Sequence, residues 1–211
     1  GVDTAADRSL LSGLRARAGS KSEALEAIDS ALEEDPSRAD DWRKKAELHE
    51  SLDDPDMALS SVEQALSLNR QDGEAWALKA KLLSIIPDEL QQALKAAIHA
   101  VALDAGGTPL ILLKANLLGA NGREEEAQES LEKELTKTPS NAELRAAMAS
   151  ISMNEGDLGK AEALLRGAGM EGNTSSSLKI EWGRLHLAYA DLHRDGTGET
   201  DRNLLSSAGK A

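Results

Sequence analysis

The chain has 211 residues, 40% hydrophobic and only 2% aromatic, with no cysteine and no phenylalanine. That is enough apolar surface to fold, but it excludes a disulfide framework, a thiolate metal site and a Cys nucleophile, and it lacks the aromatic and β-branched stock of a β-sandwich or barrel core. Lys and Arg number 24 against 37 Asp and Glu, a net charge of −13. Nucleic-acid binding is disfavoured, since the densest basic run is Arg43, Lys44 and Lys45, set among acids.

From the N-terminus, apolar residues spaced three and four apart predict a helix over 5–17 and a second over 21–34, whose stripe is Leu25, Ile28, Ala31 and Leu32. The same pattern recurs as pairs over 39–51 and 55–68, 73–86 and 88–103, 108–120 and 123–136, and 141–154 and 157–167. Ser20 with Glu23, and Ser140 with Glu143, read as capping boxes at helix starts. The pairs are in phase. Ala24, Ala58, Ala93, Ala127 and Ala161 are 34, 35, 34 and 34 residues apart, and four residues after each stands Ile28, Val62, Ala97, Leu131 or Leu165. A small residue lies twelve before each alanine: Ser12, Ala46, Ala80, Ala115 and Ala149. Five before stands a turn former or breaker: Gly19, Asp53, Asp88, Gly122 and Gly156. Small residues at fixed places let two helices approach closely. One pair cannot bury its own stripe, so neighbours must stack. A last helix is expected over 176–193, carrying Trp182, Leu185 and Tyr189.

This periodicity resembles the tetratricopeptide repeat, a 34-residue helix–turn–helix unit, over residues 5–173 as five units. Trp42 and Trp76 stand at its tryptophan place; Ile111 and Arg145 depart from it, and the closing proline survives only at Pro36 and Pro139. The resemblance implies an all-α fold, an α-solenoid in which antiparallel helix pairs stack as a right-handed superhelix. Residues 1–4 are expected to be a flexible start, 174–194 a capping helix, and 195–211 a flexible or partly helical tail. The tryptophans are expected to be wedges between helices, and His49 a packing residue.

The resemblance also implies a binding face on the first helix of each pair. In the second unit its places hold Arg43, Glu47 and Glu50, in the third Ala77, Lys81, Ser84 and Ile85, in the fourth Leu112 and Asn116, and in the fifth Ser150 and Met153. Apolar anchors there would supply affinity and charges register for a bound helix or extended peptide. Some members of the family clamp a carboxyl terminus, but the matching places hold Arg43, Glu47, Leu78, Pro109 and Leu113, and Glu47 would repel a carboxylate. The expected function is therefore a protein–protein interaction module, an assembly or adaptor factor that binds a peptide or protein. The alternative is a scaffold that self-associates through its end faces.

Other chemistry reads weakly. Gly167, Gly169 and Gly172 fit a dinucleotide-binding string, but a helix precedes them where a strand is needed. Residues 195–201 lack the sixth-place Gly and twelfth-place Glu of a calcium loop. Asn173 opens a glycosylation sequon, meaningful only in a eukaryotic secretory setting. His49, His99, His186 and His193 form no metal-ligand pattern, and no nucleophile turn is visible, so neither enzyme activity nor a cofactor or metal is expected. The longest apolar run, Leu110–Leu113, is far short of the roughly 18–20 residues that span a bilayer. No stretch reads as a secretory signal, and the opening on Gly1 instead of Met reads as an excised or processed form.

Overall fold

The computed structural model describes residues 4–169 and 176–194. Within them lie eleven α-helices and no strand. They are α1 (Ala5–Arg17), α2 (Lys21–Glu34), α3 (Ala39–Ser51), α4 (Pro55–Leu68), α5 (Gly73–Ser84), α6 (Leu90–Ala102), α7 (Gly107–Ala120), α8 (Glu124–Lys137), α9 (Ala142–Asn154), α10 (Leu158–Gly169) and α11 (Ser176–Arg194). The expected tail, calcium-like loop and sequon fall on residues 195–211 and 173–175, outside the described ones, as do residues 1–3 of the expected start, whose last residue, Thr4, is the N-cap of α1. The chain divides into two compact units, residues 1–127 and 128–211, with the division inside α8.

In the first unit α1 packs on α2, α3 on α4 and α5 on α6, and each pair meets the next through α2–α3, α4–α5 and α6–α7. In the second unit α9 packs on α10, and α11 lies against both. These are the stacked helix pairs of an α-solenoid. The in-phase alanines carry them: Ala24, Ala58, Ala93 and Ala161 are fully buried and Ala127 is 3% exposed, while Ile28, Val62, Ala97, Leu131 and Leu165 are sealed completely. A larger side chain at the alanine places would force the helices apart, typically at about 1–3 kcal/mol.

Several cross-links also keep step with the repeat. Trp42 donates its indole N–H to the Pro36 carbonyl at 2.9 Å, and Trp76 donates to the Arg70 carbonyl at 3.0 Å, each locking a helix start to the turn before it. Lys45 pairs with Asp29 at 2.7 Å and lies over the Trp42 ring; Lys79 pairs with Glu63 at 2.9 Å and lies over Trp76. Arg145, which breaks the tryptophan pattern, donates its Nε–H to the Pro139 carbonyl at 2.6 Å. It makes the same lock with a guanidinium.

Some local expectations are corrected. Ser20 makes no side-chain cap; Glu23 instead turns back to Arg15 at 3.6 Å. The cap of α9 is Asn141, one residue past Ser140, accepting from the N–H groups of Glu143 and Leu144. The full capping box lies at Thr4 and Asp7. Helix α5 stops at Ser84, not 86, because Pro87 forces Ile86 into an extended conformation (φ −100°, ψ 112°), and a short 3₁₀ turn, Pro87–Glu89, precedes α6.

Candidate functional site

The first helix of each pair exposes one side, and the residues expected to bind lie there in very different states. In the first unit Arg43 is half-buried, donating to Glu47 at 2.7 Å and to Asp72 at 3.0 Å. Lys81 reaches from α5 to Glu50 on α3 at 2.7 Å. The Ser84 hydroxyl donates to the Lys81 carbonyl. Both cations are thus matched by carboxylates within the protein. What remains open is mostly apolar: Ile85 is 67% exposed and Ala77 and Leu112 are half-buried, with the exposed amide Asn116 beside them.

A cleft of about 420 Å³ opens where α3 and α5 end. Its floor and walls are Pro55, Leu82 and Ile85; Glu50, Ser51, Asp53 and Lys81 rim it. The Lys81–Glu50 pair closes one side as a tie between the two helices. Asp53 takes the left-handed conformation (φ 62°) at the turn after α3, where Gly19, Gly122 and Gly156 hold the corresponding turns. An L-residue pays a steric cost there that glycine does not.

In the second unit the corresponding side is covered. Arg184 of α11 donates to the Ser150 hydroxyl at 2.6 Å and to the Asn154 side-chain carbonyl at 3.4 Å. Met153 packs with Trp182 and Tyr189 of α11 against the cluster around Ala149 and Leu165. Here α11 does for α9 what α5 does for α3. Tyr189 also donates to Glu162 at 3.1 Å; burial and that carboxylate push the phenol above its ordinary pKa.

One buried charge escaped the sequence reading. Asp41 is fully buried. It accepts from the Ser9 hydroxyl at 2.6 Å, from Lys44 at 3.1 Å and from Arg38. Burial pushes its pKa up, but the bonds from Arg38, Ser9 and Lys44 together outweigh burial and hold it below the ordinary carboxylate value. The network ties α1 to α3. The only signal for it in sequence is that Asp41 occupies a place held by Ala75, Leu110 and Leu144 in the later repeats. His49 is buried, as a packing residue should be, with Nδ1 3.4 Å from Asp54. Among the described residues no three His, Asp or Glu side chains converge as a metal site, and no helix is long and apolar enough to cross a membrane.

Helix pairs of this length, locked by an indole at the start of the first helix and closed through in-phase alanines, define the tetratricopeptide-repeat fold. Residues 42–72 match the family described as Tetratricopeptide repeat. No curated protein sequence matches the chain. Among solved structures, MamA residues 41-end from Desulfovibrio magneticus RS-1 superposes with a TM-score of 0.73 at 17% identity, covering 82% of this chain and 99% of that one. PilW, described as a widely conserved type IV pilus biogenesis factor, gives 0.69 at 20% identity, covering 95% and 97%. A thermophilic TPR protein of Thermus thermophilus gives 0.63 at 18%, covering 87% and 100%. The described helix pairs thus have the tetratricopeptide-repeat fold.

Proposed function

We propose that the chain is a protein-docking module whose first unit binds a helical or extended segment of a partner protein. The reading rests on one observation: the cleft between α3 and α5, where an aliphatic side chain, Ile85, stands 67% exposed beside Leu82 and Pro55. An aliphatic anchor of the partner would fill that cleft and gain from leaving water. Ala77, Leu112 and Asn116 continue the surface along α5 and α7, while Arg43, Glu47, Glu50, Lys81 and Ser84 set the register at its charged edge. Ser150 and Met153 lie in the second unit, where α11 engages them, and are not part of this face. The adaptor or assembly role draws on PilW, described as a pilus biogenesis factor and similar in fold. Its two cations, Arg43 and Lys81, are both paired with carboxylates of the chain.

The test is affinity capture on the wild type beside Ile85→Glu and Leu112→Glu, with mass spectrometry of the difference and direct binding of each lost protein to the purified chain. Both variants sit on exposed or half-buried positions and should fold, as circular dichroism will check. A protein retained by the wild type and weakened at least about tenfold by both variants supports the reading, since one buried aliphatic contact is worth roughly 1.5–3 kcal/mol. Identical captured sets remove it.

A further inference from the structure

The chain closes one of its own helix ends with a lysine. Lys21, at the start of α2, donates its ammonium to the carbonyl of Ser51, the last residue of α3, at 2.6 Å. That carbonyl belongs to the negative end of a helix, where a cation is favoured. The repeat carries both places forward. Pro55, at the start of α4, stands 34 residues after Lys21, and Ile85, at the end of α5, stands 34 after Ser51 (55 − 21 and 85 − 51). Pro55 has no cation to offer. Among the described residues no group donates to the Ile85 carbonyl, and Ser84 closes only the Lys81 carbonyl. The end of α7 has its own closure: the Asn121 side-chain amide donates to the Leu117 carbonyl at 2.7 Å.

Pro55 and Ile85 both line the cleft between α3 and α5. That cleft is therefore the repeat's lysine place without its lysine, and its chemistry suits the missing side chain from stem to head. Leu82, Ile85 and Pro55 are an apolar bed for a four-carbon stem. Two carboxylates stand on the rim. Glu50 is taken by Lys81 at 2.7 Å, while Asp53 is exposed and, among the described residues, pairs with no cation. Asp53 also holds a left-handed backbone where the first repeat has Gly19, so its carboxylate stands at the rim at a conformational cost. The net charge of −13 attracts cationic segments to the chain as a whole.

We infer that the partner's anchor in this cleft is a lysine. Its stem lies on Leu82, Ile85 and Pro55, and its ammonium sits between the Asp53 carboxylate and the Ile85 carbonyl, as Lys21 sits on the Ser51 carbonyl one repeat earlier. This rests on the docking function proposed for the cleft and specifies the aliphatic anchor there as one that ends in a cation.

NMR titration of the purified chain tests it with small probes. They are N-acetyl-lysine methylamide, its norleucine analogue, which keeps the stem and lacks the ammonium, and its Nε-acetyl form, which lacks the charge. The lysine amide should shift the backbone amides of Asp53, Leu82, Ile85 and Ile86 saturably. It should bind about threefold or more tightly than either analogue, the scale of one exposed ion pair. Asp53→Gly should erase that preference without lowering the unfolding midpoint, since glycine suits the left-handed turn; an aspartate that only shapes the turn would leave the preference intact. Pro55→Lys gives α5 the closure that α3 has and should exclude the probe, whereas Pro55→Ala should still bind it. Absence of saturable binding, or equal binding of the three probes, overturns the inference and leaves the docking function standing if captured proteins still depend on Ile85. Captured sets unchanged by Ile85→Glu and Leu112→Glu, with the lysine amide still bound, would instead overturn the docking function and the partner's lysine with it.

Discussion

Asp41 and Trp42 in α3, and Leu144 and Arg145 in α9, occupy the same two places of the repeat, 103 residues apart (144 − 41 and 145 − 42). The chemistry is inverted between them. The second repeat buries a charge and locks its turn with an aromatic ring; the fifth buries a leucine and locks with a charge. Asp41 and Leu144 are both fully buried. Trp42 and Arg145 both donate to the carbonyl of a proline six residues back. These two repeats thus share a buried side chain at one place and an N–H donor at the next, each supplied by different chemistry, whereas Ile111 of the fourth repeat has no donor to offer.

The largest expected effect comes from breaking the first place. Asp41→Ala leaves Ser9, Lys44 and Arg38 facing an empty acceptor and should lower the unfolding free energy by about 3 kcal/mol in urea denaturation. Asp41→Leu combined with Ser9→Ala gives the second repeat the apolar chemistry of the fifth and should recover most of that loss, because Lys44 and Arg38 are partly exposed and can return to water. A double variant no more stable than Asp41→Ala would show that the place is not volume alone. Acid provides a second arm. The folded-state pKa of Asp41 lies below its ordinary 3.8, so its contribution is complete above that value and is lost as the pH falls through the depressed one. Asp41→Asn should therefore flatten part of the stability loss measured between about pH 5 and about pH 2. Leu144 offers no such dependence.

The sequence displays volume and spacing well and hydrogen-bond function poorly. Ala24, Ala58, Ala93 and Ala161 were legible because close packing tolerates only a small residue, and that requirement prints itself on the chain at fixed intervals. The donor role of Arg145 was not, since by residue type it is a departure from tryptophan. The candidate site was legible as positions but not as states. Arg43 reads as a binding-face residue on its helix, yet Asp72, 29 residues on in the turn before α5, is one of its partners. Likewise α11 was recognisable as a helix from Trp182, Leu185 and Tyr189, whereas its hold on Ser150 depends on Arg184, which no repeat pattern singles out.

The second place is tested by removing donors separately from volume. Trp42→Ala loses ring packing and the hydrogen bond and should cost about 2–3 kcal/mol. Trp42→Phe keeps most of the ring and loses only the N–H, and should cost about 1 kcal/mol, as should Arg145→Ala. Agreement between those last two, measured by urea midpoint at constant slope, is the signature of a shared lock. A silent Trp42→Phe would mean the ring's volume is what the second repeat uses, and the parallel with Arg145 would be reduced to coincidence of geometry.

The smallest effect distinguishes the two locks most finely. The guanidinium reaches the proline carbonyl by passing over Gly167 of α10: a Cβ built there would stand 1.8 Å from Arg145 Nη1. The counterpart of Gly167 in the second repeat is the exposed Gln64, so the indole lock makes no such demand. Gly167→Ala gains about 1 kcal/mol of helix propensity but displaces the arginine at a similar cost, and should come out within about 0.5 kcal/mol of the wild type. Placed on Arg145→Ala, the same substitution meets no guanidinium and should stabilise by the full amount of about 1 kcal/mol. The double-mutant cycle would then give a coupling of about 1 kcal/mol between two residues 22 apart in sequence (167 − 145). Additivity would place Arg145 elsewhere, and with it the claim that a glycine in α10 exists to let a charged side chain stand in for a tryptophan.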